Sequence, residues 1–287
     1  MMQKGGAMSK FEKIRDRVGY QALFEERDFR EAMDFAIANG FRALELNLTS
    51  PNFSPERYSL AKRKDIRAHC EDHNLALLLH APEGLNFLNP QDTVREAALK
   101  RMGDLVTFAL QTGASRLTFH LGYCEPLSVG GKLVRLYQLY PEVYEEMAEE
   151  VFTYLTSLYT DRVVLCLENC GGFRYGVVQK ALKRILHSSS LGLTWDLGHT
   201  NHLKGKERER EESLFSEFLE KIGNCHLHDN RGEWDEHNIV GKGTVPFLKY
   251  LKMLAETDTY FILEVRPRDR ALRSLKRLER LRAELSD

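Results

Sequence analysis

A closed (β/α)8 TIM barrel, of the α/β class, is the fold that this sequence predicts, and three observations predict it. Strand-like and helix-like stretches alternate from one end of the chain to the other. Several of the strand-like stretches are unbroken apolar runs, Leu75-Ala-Leu-Leu-Leu79 and Val163-Val-Leu-Cys-Leu167 among them, as strands buried on both faces are. Eight strand–helix units in 287 residues average about 36 residues each, a comfortable length for one turn of such a barrel. A doubly wound open sheet shows the same alternation and is the competing architecture.

In chain order, strands are expected at 18–23, 41–48, 75–80 and 116–121, then at 162–168, 191–197, 224–228 and 260–265. Amphipathic stretches at 29–39, 93–111, 144–159 and 214–222 read as helices between them. Gly40, Asn74, Gly113 and Gly223 stand where these helices should close. The connection over 122–140 is long for a strand-to-helix loop, and its Gly130-Gly131, Lys132, Arg135, Tyr137 and Tyr140 make it a candidate flap carrying a phosphate-binding cation. The basic stretch 266–282 carries Leu272, Leu275, Leu278 and Leu281 at helical spacing, with Leu285 beyond, so it reads as an outer barrel helix with a solvated face. No linker or shift in composition divides the chain. A single domain over 1–287 is expected, with 1–15 as a flexible N-terminal tail.

Composition narrows the classes. Hydrophobic residues make up 43% and charged residues 29%, which excludes collagen-like, low-complexity and largely disordered chains. Forty-one basic and 42 acidic side chains leave a net charge of −1, which argues against a general polyanion binder. No apolar run approaches the roughly 20 residues that span a bilayer, so no membrane partner is expected. Five cysteines, an odd number without a C-x-x-C pair, read as reduced thiols of a cytoplasmic protein.

The chemistry lies at the strand ends. Strands three to eight finish in His80, His120, Glu168, Asp196, His226 and Glu264. A closed barrel gathers those ends around one axis, at the face where barrel enzymes build their sites. Six ionisable ends would be costly to bury unless they were paired or bound a metal. Asp196-Leu-Gly-His199 continues strand six into its loop, and Asp235-Glu-His237 follows His226 by nine residues. Imidazole and carboxylate donors around one cavity suit Zn2+, Mn2+, Fe2+ or Co2+ better than Ca2+, with Zn2+ or Mn2+ foremost. P-loop, nucleophile-elbow and H-E-x-x-H motifs are absent.

The segments LLLHAP, TFHLG, LENCGG, WDLGHTN, HLHDN, DEHNIVGKG and LEV resemble the motifs of the xylose isomerase-like TIM-barrel superfamily, over about 41–265. That superfamily holds sugar and sugar-phosphate isomerases and epimerases, and the endonuclease IV type of apurinic/apyrimidinic endonuclease. The isomerase branch implies one divalent metal on Glu168, Asp196, His226 and Glu264. Glu168 and Glu264 would then serve as catalytic acid and base around a metal-stabilised enediolate, and Glu45, His199 and His228 would bind substrate hydroxyls. The endonuclease branch implies three metals. His80, His120 and Glu168 would hold the first, Glu168, Asp196, His226 and Glu264 the second, and His199, Asp235 and His237 the third. Gly241-Lys242-Gly243 is a candidate phosphate cradle, with Lys242 as its cation.

The first expectation is a sugar or sugar-phosphate isomerase or epimerase with one to three ions and a small-molecule partner. A two- or three-metal phosphoesterase is the alternative. Nucleic acid is disfavoured because Glu83 follows His80 and clustered Lys/Arg are lacking near the pocket. A homo-oligomer is left open.

Overall fold

The computed structural model describes residues 8–286. In chain order its strands are β1 (Val18–Ala22), β2 (Ala43–Asn47), β3 (Ala76–His80), β4 (Arg116–Phe119), β5 (Pro126–Val129), β6 (Lys132–Arg135), β7 (Val164–Glu168), β8 (Gly192–Asp196), β9 (Ile222–Leu227) and β10 (Tyr260–Leu263). All but β5 and β6 form a closed parallel barrel in which each strand pairs with the next and β10 returns to β1. The closing register sets Val18 opposite Phe261 and Tyr20 opposite Leu263. That pairing excludes the open sheet.

Alternation along each strand sorts the side chains into an outer core and a filled lumen. Tyr20, Leu44, Leu79, Phe119 and Trp195 pack outward into the core shared with the helices. Ala43, Leu78 and Ile262 form a separate apolar cluster with Ala76 and Tyr260. Glu45, Thr118, Thr194 and Asn224 hydrogen-bond across the lumen. Two residues beyond Leu78, Thr118, Thr194, Asn224 and Ile262 stand His80, His120, Asp196, His226 and Glu264. The ionisable strand ends are this top layer.

The helix Phe29–Ala38 starts where Asp28 accepts a hydrogen bond from the Glu31 N–H at 3.0 Å, and it buries Phe29, Ala32, Met33 and Ala36. Gly40, Asn74 and Gly113 take φ of +73°, +51° and +78° at the ends expected for them. Gly223 does not close a helix. It lies inside β9, where a Cβ would come within 2.9 Å of Arg116 Nε and 3.0 Å of Cys166 Sγ. The helix expected at 214–222 is displaced to Gly205–Glu217. Its first half, Lys206-Glu-Arg-Glu-Arg-Glu, has no apolar period to read and is supported by pairs such as Arg208–Glu212 at 3.0 Å.

Two further expectations change. Residues 1–7 lie outside the described residues, but the tail does not extend to 15. Lys10–Arg15 is a helix with a reciprocal Ser9–Glu12 cap, and it buries Phe11 and Ile14. The excursion over 122–140 contains an ordered hairpin, β5–β6, anchored where Tyr137 stacks on Tyr175 at 4.0 Å. Arg135 donates to the Cys124 carbonyl at 2.6 Å, so it is not the free cation expected there. The helix Arg268–Arg280, followed only by the short helix Arg282–Ser286, buries Ala271, Ser274, Leu275 and Leu278, as the leucine spacing predicts. No helix among the described residues is long and apolar enough to cross a membrane.

Candidate metal centre

The top layer converges on Glu168. Its Oε2 lies 3.2 Å from His80 Nε2, 3.2 Å from His120 Nε2 and 3.5 Å from His226 Nδ1, while its Oε1 lies 3.2 Å from His199 Nδ1. A second focus is His226 Nδ1, which also faces Glu264 Oε2 at 3.0 Å and Asp196 Oδ2 at 3.7 Å. A third is Asp235 Oδ2, 3.0 Å from His237 Nε2 and 3.4 Å from His199 Nε2. All nine residues expected as metal ligands therefore meet in one cluster, with Glu168 shared between its parts. Donor atoms of His80, His120 and Glu168 lie within 4.8 Å of one another, as do those of Glu168, Asp196 and His226.

Local structure explains how the chain delivers them. Asp196 ends β8 and caps the helix Leu197–His202, its Oδ1 accepting from the His199 N–H at 2.7 Å. That cap is why a D-x-x-H spacing turns both side chains into one pocket. His237 has φ +44°, a left-handed conformation uncommon for a residue with a side chain. The turn that it makes brings Asp235 back beside it.

Hydrogen bonding decides which nitrogens are free. His80 Nδ1 lies 2.8 Å from the Ala81 carbonyl and His237 Nδ1 lies 2.8 Å from the Glu264 carbonyl. A carbonyl only accepts, so each Nδ1 carries the proton and each Nε2 aims toward a carboxylate. His199 Nδ1 and His226 Nδ1 are buried without a hydrogen-bond partner, and both face carboxylate oxygens. A lone pair turned toward an anion needs a proton or a cation between them. The donor set fits divalent metal ions.

The charges of the side chains tell the same story. Burial pulls the His120, His199 and His226 imidazoles toward neutrality, but Glu168 beside His120, Asp196 beside His199 and Glu45 beside His226 outweigh it and hold all three well above the usual range. Burial likewise works to raise Glu168 and Glu264. The facing histidines, His120 and His226 for the first and His226 and His237 for the second, hold both well below the ordinary carboxylate value.

Two residues expected to contact substrate, Glu45 and His228, are engaged elsewhere, and the cradle expected around a third, Lys242, does not form. Glu45 is fully buried. Its Oε1 lies 3.0 Å from His226 Nε2 and accepts from Gln21 at 2.9 Å, while Oε2 accepts from Asn224 at 2.7 Å and Thr118 at 3.3 Å. No acceptor is left for a substrate. His228 is also fully buried. Its Nε2 reaches Asp196 Oδ1 at 3.0 Å and Oδ2 at 3.1 Å, and its ring stacks on His237 at 3.9 Å, so it braces two candidate ligands. Lys242 is exposed, but the phosphate cradle around it does not form. The N–H groups of Gly243 and Val245 donate to Asp229 at 2.7 and 3.1 Å, which leaves no amide pair for an anion.

Reading the sequence missed Gln21, Asp229 and the pair Asn169–Glu211. Asn169 takes the Asp196 N–H on its Oδ1 at 2.7 Å and gives Nδ2 to buried Glu211 at 2.8 Å. Gln21 had one available signal, a polar residue within an otherwise apolar strand; Glu211, in the charged run that opens its helix, had none.

Known proteins share this fold and sequence pattern. An uncharacterized protein of Methanocaldococcus jannaschii is 25% identical over 201 residues, covering 68% of this chain and 72% of its own. A probable endonuclease 4 of Aquifex aeolicus is 26% identical over 207 residues, covering 67% and 69%. The crystal structure of a D-tagatose 3-epimerase-like protein superposes with a TM-score of 0.71 at 23% identity, covering 94% of this chain and 98% of that one. The family model described as xylose isomerase-like TIM barrel matches residues 33–283, a span that takes in every barrel strand after β1 and all nine clustered donors. The chain belongs to the xylose isomerase-like TIM barrel family.

Proposed function

We propose that this chain hydrolyses phosphate esters at a site that holds two or three divalent cations, Zn2+ or Mn2+ by the chemistry of its donors. One observation carries the reading. Eight imidazole and carboxylate side chains gather with Glu168, four of them, His80, His120, His199 and His226, within 3.5 Å of one or other of its oxygens. One ion held by Glu168, Asp196, His226 and Glu264 would leave the other five outside its shell.

His80, His120 and Glu168 would hold one cation, Glu168 with Asp196, His226 and Glu264 a second, and His199, Asp235 and His237 a third. Such cations supply Lewis acidity, neutralising charge on a phosphate ester and on its departing oxygen. The protein's part is positioning. The Ala81 and Glu264 carbonyls fix the His80 and His237 tautomers, and His228 steadies Asp196. Exposed Glu83, on the loop after β3, favours a small substrate over a nucleic-acid duplex.

A second reading, a sugar or sugar-phosphate isomerase or epimerase, is favoured by the focus at His226 Nδ1. There Glu168, Asp196 and Glu264 complete a set for one cation, with Glu168 and Glu264 as the acid and base.

Elemental analysis of protein purified without chelator separates the two. Two or three metals per chain are expected, with His237→Ala losing about one and lowering hydrolysis of bis(p-nitrophenyl) phosphate by 10-fold or more, the scale on which metal-site residues act. One metal per chain, with deuterium exchange into a bound sugar that Glu168→Gln or Glu264→Gln abolishes, would replace the first reading with the second.

A further inference from the structure

We infer that Gln21 and Arg266 are positioning residues which, through Glu45, dictate that His226 keeps its proton on Nε2 and turns Nδ1 to the metal cluster. The inference rests on reading that cluster as a metal centre. It is drawn from a closed ring of five side chains: Arg266, Gln21, Glu45, His226 and Glu264.

The direction of each bond follows from one fixed point. A guanidinium only donates. Arg266 Nη2 donates to the Gln21 side-chain oxygen and, at 2.9 Å, to Glu264 Oε1. The Gln21 amide is thereby oriented, since its oxygen faces the arginine and its nitrogen must face the other way. That nitrogen donates to Glu45 Oε1 at 2.9 Å. Glu45, a buried carboxylate, can only accept.

His226 Nε2 lies 3.0 Å from the same Glu45 oxygen, so that nitrogen is the protonated one. The Asn224 amide nitrogen lies 3.1 Å from His226 Nε2 and could seem to compete as a donor. Its two hydrogens are already placed, on Glu45 Oε2 at 2.7 Å and on Thr118 Oγ1 at 3.0 Å. His226 Nδ1 is the nitrogen left for a cation. It points at Glu264, Glu168 and Asp196, and it has no hydrogen-bond partner.

The ring closes through Arg266, which holds Glu264 Oε1 while Oε2 faces His226. One arginine at the barrel mouth thus orients two donors of the central position, one directly and one through two buried side chains. Partners of this kind typically change metal affinity by 10–100-fold when they are removed.

The test uses the full chain and zinc alone. Long-range 1H–15N spectra of the unsubstituted protein, with His226 assigned by its loss in His226→Gln, should show Nε2 protonated throughout a zinc titration and Nδ1 shifting as zinc binds. Gln21→Leu and Arg266→Met should each weaken zinc binding at the tightest position at least 10-fold, with Arg266→Lys, which keeps a donor, recovering most of it. Deprotonation of Nε2 on zinc binding would overturn the inference, and so would wild-type zinc affinity in Gln21→Leu. If Gln21→Leu fails to fold, the spectra of the unsubstituted chain decide alone. An unsubstituted chain that takes up no zinc overturns the metal-centre reading and this inference with it. Zinc uptake through Nε2 overturns only the inference.

Discussion

A Cβ placed on Gly198 would lie 2.0 Å from Cε1 of His228 and 2.4 Å from its Nε2, the nitrogen that reaches both oxygens of Asp196. The His228 ring has nowhere to retreat, because its far face stacks on His237 at 3.9 Å with the planes 12° apart. Gly198→Ala therefore overpacks the centre at the residue scale. It should cost about 1–3 kcal/mol in urea unfolding, and it should loosen Asp196 as a ligand by displacing the imidazole that holds it. Stability within about 0.5 kcal/mol of the parent, the range of an ordinary surface substitution, would mean that His228 is free to move and does not brace the site. Glu45 shows what a residue name alone conceals. Its position on an inward strand face is legible in the spacing of Ala43, Glu45 and Asn47, but its neighbours are Gln21, Asn224 and His226, contributed by strands far away in sequence. Spacing identifies the layer of the barrel. It does not identify the bond, and so a carboxylate that orients a histidine reads as one that awaits a substrate.

At the scale of elements, the segment from Asp229 to Val245 is held by one carboxylate. Asp229 is fully buried, and it accepts from the N–H groups of Asn230 at 2.9 Å, Gly243 at 2.7 Å and Val245 at 3.1 Å. Its own backbone pairs both ways with Asn238, at 2.9 and 2.7 Å. Asp235 and His237 ride on this frame. Replacing Asp229 by alanine strands three donors, two of them on the loop that closes the frame, and each unsatisfied buried group costs on the order of 1–3 kcal/mol. A loss of about 3 kcal/mol is expected, together with faster amide exchange from 231 to 243 and weaker binding of the cation nearest Asp235. Unchanged exchange in that segment would show that the loop holds itself. The strand-end donors were legible because a parallel barrel forces strand ends to converge. The hairpin at 126–135 and the charged helix Gly205–Glu217 were not. Neither has the apolar periodicity that a sequence displays, and each is stabilised by contacts with distant chain.

For the whole molecule, the centre couples folding to pH in opposite senses with and without metal. Burial pulls His237 down, but Glu264 and Asp235 lift it to about 9, and His120, His199 and His226 are raised as well. A histidine raised above its unfolded value of about 6.5 stabilises the fold fully below that pH and loses the contribution as pH rises through the folded value. Glu168 and Glu264 are depressed, so their contribution is present above about 4.5 and is lost only in acid. The melting temperature of metal-free protein should therefore fall as pH rises from about 6.5 to 9, over the window that His237 sets. Metal binding demands the deprotonated imidazoles and stabilises the folded state in proportion to its affinity. Zinc-saturated protein should accordingly gain stability over the metal-free form across that same window, with the gap widening toward pH 9. Parallel curves would mean that the protons on these histidines and the cation do not compete for the same nitrogens, and the nine-residue cluster would then be an ion-pair network and not a metal centre.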